Sequence, residues 1–159
     1  MSGSVLVDRE GVRDLYDDYI ACLDAEDFDA WLDLFVEDSE YRVVSRENFD
    51  RGLPLATMRC DSRSMLADRI HTIRNTQTFA PRRIRRFFSG LRALPASGSD
   101  VEVSASFLVI ESLDDEPSRV HLAGRYADLV TGIGGDLKFR RKIAIYDSPI
   151  IPVSLIYPV

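Results

Sequence analysis

His71 and His121 are the only histidines of the chain, and Cys22 and Cys60 its only cysteines. That census limits the chemistry open to it. An iron held by two histidines and a carboxylate would use both histidines. A Rieske cluster needs two cysteines and two histidines of its own, and no Cys-x-His or Cys-x-x-His pair is present. The chain therefore cannot carry both centres. Zinc-ligand spacings, a phosphate-cradling glycine loop and the Gly-x-Ser-x-Gly nucleophile pattern are also missing.

Acid–base chemistry remains open. An apolar pocket under a curved sheet can use a carboxylate or an imidazole as general base. Asp38, Asp128 and His121 are the candidates, with Tyr41 or Tyr126 as hydrogen-bond donors. The plainer reading of each carboxylate is a salt bridge to one of the many arginines. The plainer reading of His71 and of His121 is a surface or core residue. The run Arg82-Arg83-Ile84-Arg85-Arg86-Phe87-Phe88 suggests nucleic acid at first sight. In a chain of net charge −6 it reads better as a charged, partly exposed strand.

The elements that must position these residues follow from periodicity. From Arg9 to Ala25, Val12, Leu15, Tyr16, Tyr19, Ile20 and Leu23 share a helical face opposite Asp14, Asp17 and Asp18. Cys22 falls on the apolar side as a small core residue. Asp27 caps a second predicted helix that buries Phe28, Trp31, Leu32 and Phe35. A short strand, Tyr41 to Ser45, comes next. Arg46 to Cys60, with Gly52 and Pro54, reads as a loop. Asp61 or Ser62 caps a third helix with Met65, Leu66, Arg69, Ile70 and Ile73 on one face.

After Pro81 the period becomes that of strands, near 83–94, 101–113, 119–131 and 136–147, separated by turn-forming residues. Val101, Val103, Ala105 and Phe107 alternate with polar residues. Leu137, Phe139, Arg141 and Ile143 alternate less cleanly with Lys138, Arg140 and Lys142. Helices first and long strands second predict an α+β fold, with three N-terminal helices on a curved antiparallel sheet. The last ten residues are uncharged, mostly apolar and carry two prolines. They predict an arm over 149–159 that folds back or docks on another chain. With 159 residues, one domain is expected. Neither a signal peptide nor a membrane-spanning run is evident, and the cytoplasm is the expected compartment.

Tyr41-Arg42-Val43, Arg46-Glu47-Asn48-Phe49, Gly52-Leu53-Pro54-Leu55, and Asp61-Ser62 with Met65-Leu66 and Asp68-Arg69 form an ordered set. Ala123-Gly124 with Tyr126 and Asp128, then Tyr146-Asp147-Ser148 with Ile151-Pro152 and Ser154 to Pro158, extend it to the end. The set resembles the small (beta) subunits of Rieske-type aromatic-ring-hydroxylating oxygenases. It is most like the branch acting on aromatic acids, that of salicylate 5-hydroxylase, with the anthranilate and terephthalate enzymes nearby. The resemblance implies a nuclear-transport-factor-2-like cone and a hexamer of three alpha and three beta chains, the beta chains self-associating as a trimer. It implies that the [2Fe-2S] Rieske cluster, the mononuclear Fe(II) and the substrate pocket belong to the large alpha subunit. The beta chain then serves assembly, with no catalytic, cofactor-binding or metal residue, and neither nucleic acid nor membrane as partner. Many relatives carry Arg-His where this chain has Arg86-Phe87, so any polar role of that histidine is absent. The alternative is a stand-alone cone-fold isomerase, dehydratase or small-ligand binder using Asp38, Asp128 or His121.

Overall fold

In the computed structural model, which describes residues 6–75, 82–133, 135–148 and 158–159, Asp8 starts the first helix. Its carboxylate accepts the Gly11 amide at 2.8 Å. Helix α1 (Arg9–Asp24) buries Val12, Leu15, Tyr16, Tyr19 and Leu23 and turns Asp14, Asp17 and Asp18 to solvent. Cys22 is half-buried against the same core. Asp27 caps α2 (Phe28–Leu32), accepting the Ala30 amide at 3.2 Å.

The second helix is shorter than predicted. It stops at Leu32, and Phe35 opens strand β1 (Phe35–Ser45) instead of extending the helix. Pairing explains the difference. The Phe139 amide donates to the Leu34 carbonyl at 2.8 Å, and Phe35 stands opposite Phe139. Such tertiary bonds outweigh a helix too short to sustain itself. The expected loop from Arg46 to Cys60 also contains structure. Ser45 caps α3 (Arg46–Asp50), its hydroxyl accepting the Asn48 amide at 3.2 Å. Strand β2 (Met58–Cys60) pairs with Tyr41–Val43. Neither segment is long enough to show a period in sequence.

Ser62 caps α4 (Arg63–Asn75), accepting the Met65 amide at 3.1 Å. Leu66, Ile70 and Ile73 are buried as predicted. Met65 is exposed rather than buried, and its sulfur accepts the Asp61 amide at 3.3 Å. The four long strands are β3 (Arg82–Pro95), β4 (Asp100–Leu113), β5 (Arg119–Ile133) and β6 (Asp136–Tyr146).

The sheet order is β2-β1-β6-β5-β4-β3. All neighbours are antiparallel except β1 and β6, which run parallel, so the wholly antiparallel sheet expected from the meander needs that one correction. A parallel pair needs a long crossover, and here the rest of the chain supplies it. Register shifts interrupt all three antiparallel pairings of β3 to β6. Each adds a residue to one strand and bends it, which curls the sheet around α1, α2 and α4.

The enclosed core is unusually aromatic. Tyr16, Tyr19, Trp31, Phe35, Tyr41, Phe107, Tyr126 and Phe139 are all buried. Phe107 and Tyr126 stack at 4.7 Å, and Trp31 meets Phe35 edge-on at 4.9 Å. The apolar arm expected over 149–159 lies, up to residue 157, outside the described residues. Pro158 and Val159 are described, and both are buried.

Candidate functional site

The sequence offered Asp38, Asp128 and His121 as general bases, and the fold separates them. Asp38 lies on the surface portion of β1, with its side chain 79% exposed and 3.6 Å from Arg140. It is a salt-bridge residue, outside the cone. Asp128 and His121 are buried, on different parts of β5. Among the described residues no hydrogen bond or ion pair joins them.

Asp128 sits at the centre of the interior because β5 alternates cleanly there, with Tyr126, Asp128 and Val130 pointing in. Its partner Lys142 arrives by a less legible route. In the β5–β6 ladder Leu129 faces Arg141 while Val130 faces Phe139, so Arg140 is an extra residue. One extra residue reverses the side-chain alternation. Phe139 points in, and beyond the bulge Lys142, Ala144 and Tyr146 point in. Ile143 and Ile145, expected to continue the face of Phe139 in the case of Ile143, pack on the other side of the sheet with Val44.

Lys142 Nζ donates to Asp128 Oδ2 at 2.8 Å, and both side chains are fully buried. The Ile143 amide donates to Asp128 Oδ1 at 3.0 Å, and the Tyr16 hydroxyl donates to Oδ2. Lys142 Nζ also lies 3.0 Å from the Tyr126 ring centroid. Burial pulls the Lys142 ammonium down to about 8, against the pull of the Asp128 charge. Burial raises the Asp128 carboxyl, despite Lys142 and its hydrogen bonds. A general base needs a free lone pair facing substrate. Both Asp128 oxygens are already engaged by three donors, so the arrangement is an ion pair locked into the core.

His121 is engaged through its Nδ1. Leu122 and Val120 oppose Val109 and Ile110, which leaves His121 as the extra residue of a bulge and turns it inward. Its Nδ1 is 3.5 Å from Glu111, whose carboxylate also accepts from Arg82 at 3.0 Å and Arg119 at 2.8 Å. Burial keeps the imidazole below its ordinary range, against the Glu111 charge and with help from Arg82 and Arg119. Burial raises the Glu111 carboxyl, but the Arg119 bond and the Arg82 charge outweigh it and leave it below its usual range.

The remaining candidates divide. Tyr41 donates to the Val159 carbonyl at 3.2 Å, and burial pushes its hydroxyl up to about 12. The Tyr126 hydroxyl is buried with no hydrogen-bond partner among the described residues. The arginine run alternates: Arg83 and Arg85 are exposed, Arg82 pairs with Glu111, and Arg86 pairs with Asp24 at 2.8 Å. Phe87 is exposed. The sequence gives Lys142 and Glu111 no functional role and places Tyr16 and Tyr19 only on the apolar face of α1. The available signal for Lys142 was a lysine followed by Ile143-Ala144-Ile145-Tyr146, a stretch too apolar for a solvated strand.

His71 is exposed on α4 beside Asn75, far in sequence and element from buried His121. Among the described residues no group of three or more His, Cys, Asp or Glu side chains is placed to hold a metal ion. The described residues fit neither a Rieske cluster nor a mononuclear iron.

The sequence matches the family model described as ring hydroxylating beta subunit over residues 20–152. The chain belongs to the ring-hydroxylating beta subunit family. It is 29% identical over 141 residues to the anthranilate 1,2-dioxygenase small subunit of Burkholderia cepacia, covering 89% of this chain and 88% of that one. It is 30% identical over 142 residues to the terephthalate 1,2-dioxygenase terminal oxygenase subunit beta 2 of a Comamonas species, covering 88% and 91%. The beta subunit of an inferred aromatic-ring-hydroxylating dioxygenase from Novosphingobium aromaticivorans superimposes with a TM-score of 0.86 at 33% identity, covering 95% and 96%. The fold of this beta subunit is thus the nuclear-transport-factor-2-like cone, and its place is in an oxidoreductase complex that acts on aromatic rings. Leu53 and Leu55 are 40% and 68% exposed in the segment between α3 and β2.

Proposed function

We propose that this beta subunit assembles with a large alpha subunit in a cytoplasmic hexamer of three alpha and three beta chains. In that assembly residues 1–159 act as one cone-fold unit with no catalytic residue. The [2Fe-2S] Rieske cluster and the mononuclear Fe(II) belong to the alpha subunit, and a beta trimer holds three alpha subunits in a ring. The substrate class is an aromatic carboxylic acid, because the relatives named for anthranilate and terephthalate both act on carboxylated rings. The observation that carries this reading is the match to the ring hydroxylating beta subunit family over residues 20–152. Beside it, the most deeply buried candidate base, Asp128, has both oxygens engaged by Lys142, Tyr16 and the Ile143 amide. No helix among the described residues is long and apolar enough to cross a membrane.

The test is co-expression with the cognate large subunit. The beta subunit should co-purify with it, and the complex should consume oxygen with aromatic carboxylates. Prepared alone under anaerobic conditions, the beta subunit should be colourless and inactive. Stoichiometric iron or a Rieske absorption band in the isolated chain would overturn the proposal.

The segment after α3 gives a second expected result. Arg46, Glu47, Asn48 and Arg51 form a polar rim beside exposed Leu53 and Leu55, the pattern of an interface with an apolar centre. Replacing Leu53 and Leu55 together with Asp should leave the melting temperature of the isolated chain within a few degrees and reduce assembly. Sedimentation velocity decides it, and full oligomer from the double variant would remove this segment from the interface.

A further inference from the structure

The cone interior is occupied by the chain itself, and polar side chains hold the occupant. Val159 is 1% exposed. Its amide donates to the Tyr41 hydroxyl at 2.9 Å, and its carbonyl accepts from Tyr19 and from Tyr41 at 3.2 Å. Arg86 Nη2 donates to the Pro158 carbonyl at 2.7 Å while Nη1 is held by Asp24 at 2.8 Å. The Arg86 side chain is 3% exposed. Tyr19, Tyr41 and Arg86 come from α1, β1 and β3, so three separate elements converge on two consecutive residues. Beside them stands the buried Tyr126 hydroxyl, within electrostatic reach of Tyr41 and Arg86 and without a hydrogen-bond partner among the described residues.

A segment that only filled a gap would be met by apolar wall. Here three donors and one acceptor address the backbone of Pro158–Val159, and the Val159 side chain enters the aromatic core. Buried polar groups of this kind are costly unless paired. The filled site pairs Arg86 Nη2 and gives Tyr19 and Tyr41, which also lie 3.3 Å from each other, further partners. We propose that Arg86, Tyr19 and Tyr41 form a peptide-recognition site inside the cone and that Pro158–Val159 occupies it as a tethered ligand. The ligand class is an acylated dipeptide with two carbonyl acceptors, one amide donor and a branched aliphatic side chain. Tethering holds such a ligand at an effective concentration on the order of millimolar, so a free peptide of similar affinity competes poorly with the intact chain.

Two measurements test this. In the full-length chain the Val159 amide should exchange its hydrogen ~100-fold or more slowly than in an unstructured peptide, as expected for a buried, bonded amide. In Tyr41→Phe, which removes its acceptor, protection should fall ~10-fold or more. Exchange at the unstructured rate in the full-length chain would overturn the proposal. A variant lacking residues 158–159 should bind N-acetyl-Pro-Val methylamide saturably in calorimetry, whereas the full-length chain should not. Adding Arg86→Gln to that variant should weaken binding ~10-fold, and N-acetyl-Pro-Asp methylamide should not bind. A folded shortened variant that ignores the Pro-Val peptide, or binds both peptides alike, refutes the site. If the shortened variant does not fold, the exchange rate of Val159 decides.

Discussion

Replacing Lys142 with Met is expected to cost the folded chain about 3–5 kcal/mol, because it strands the Asp128 carboxylate in the core. The ammonium is fully buried, 2.8 Å from Asp128, against the Tyr126 ring. Converting both partners, Asp128→Asn with Lys142→Met, should recover most of that loss. The asparagine oxygen still accepts from the Ile143 amide, and no charge remains to be desolvated. A single variant as stable as the parent in urea unfolding would show that the pair carries no such penalty.

The same pair predicts a pH dependence. The Lys142 ammonium falls from 10.5 in the unfolded chain to about 8 in the folded one. Below pH 8 it is charged in both states, and the full cost of burying it stands. Above 10.5 it is neutral in both, and the cost is gone. Between those values the unfolded chain binds more protons, so this group makes stability rise with pH, by up to about 1.4 kcal/mol per pH unit. Burial holds Tyr16, Tyr19 and Tyr126 well above 10, which makes stability fall once pH passes 10. The clean window is therefore pH 8 to about 10. There the parent should gain stability relative to the Asp128→Asn, Lys142→Met double variant. A constant difference across that window would contradict a depressed lysine.

Gly124→Ala should be comparably damaging, at about 3 kcal/mol or more. A Cβ on Gly124 would stand 1.9 Å from the Ile145 carbonyl oxygen and 2.8 Å from its carbon. These are backbone atoms of β6, paired at this point through Gly124 opposite Tyr146. No side-chain rotation can relieve the contact, so the strands must part. The Asp147 amide, bonded to the Ala123 carbonyl at 2.9 Å, should then exchange faster, and the urea midpoint should fall. A shift below about 0.5 kcal/mol, the range of ordinary surface changes, would show that the ladder adapts.

Much of this architecture was legible in the sequence. The stripe Val12, Leu15, Tyr16, Tyr19 and Leu23 identifies α1, because a 16-residue helix repeats its period often enough to be read. The cap Asp27, a cap at Asp61 or Ser62, the positions of the four long strands and the family resemblance were readable for the same local reason. So was the poverty of iron ligands, since counting two histidines and two cysteines needs no coordinates. What stayed hidden depended on pairing between distant segments. Phe35 left its helix because Phe139, more than a hundred positions away, bonds beside it. The parallel β1–β6 pair and the three-residue β2 leave no periodic trace. Above all, a single extra residue at Arg140 reversed the alternation of β6. The sequence by itself determined that Lys142 lies in a strand. Only the tertiary structure, through that bulge, decided that it faces Asp128 in the core rather than water, because side-chain direction in a strand is set by the ladder and not by the residue.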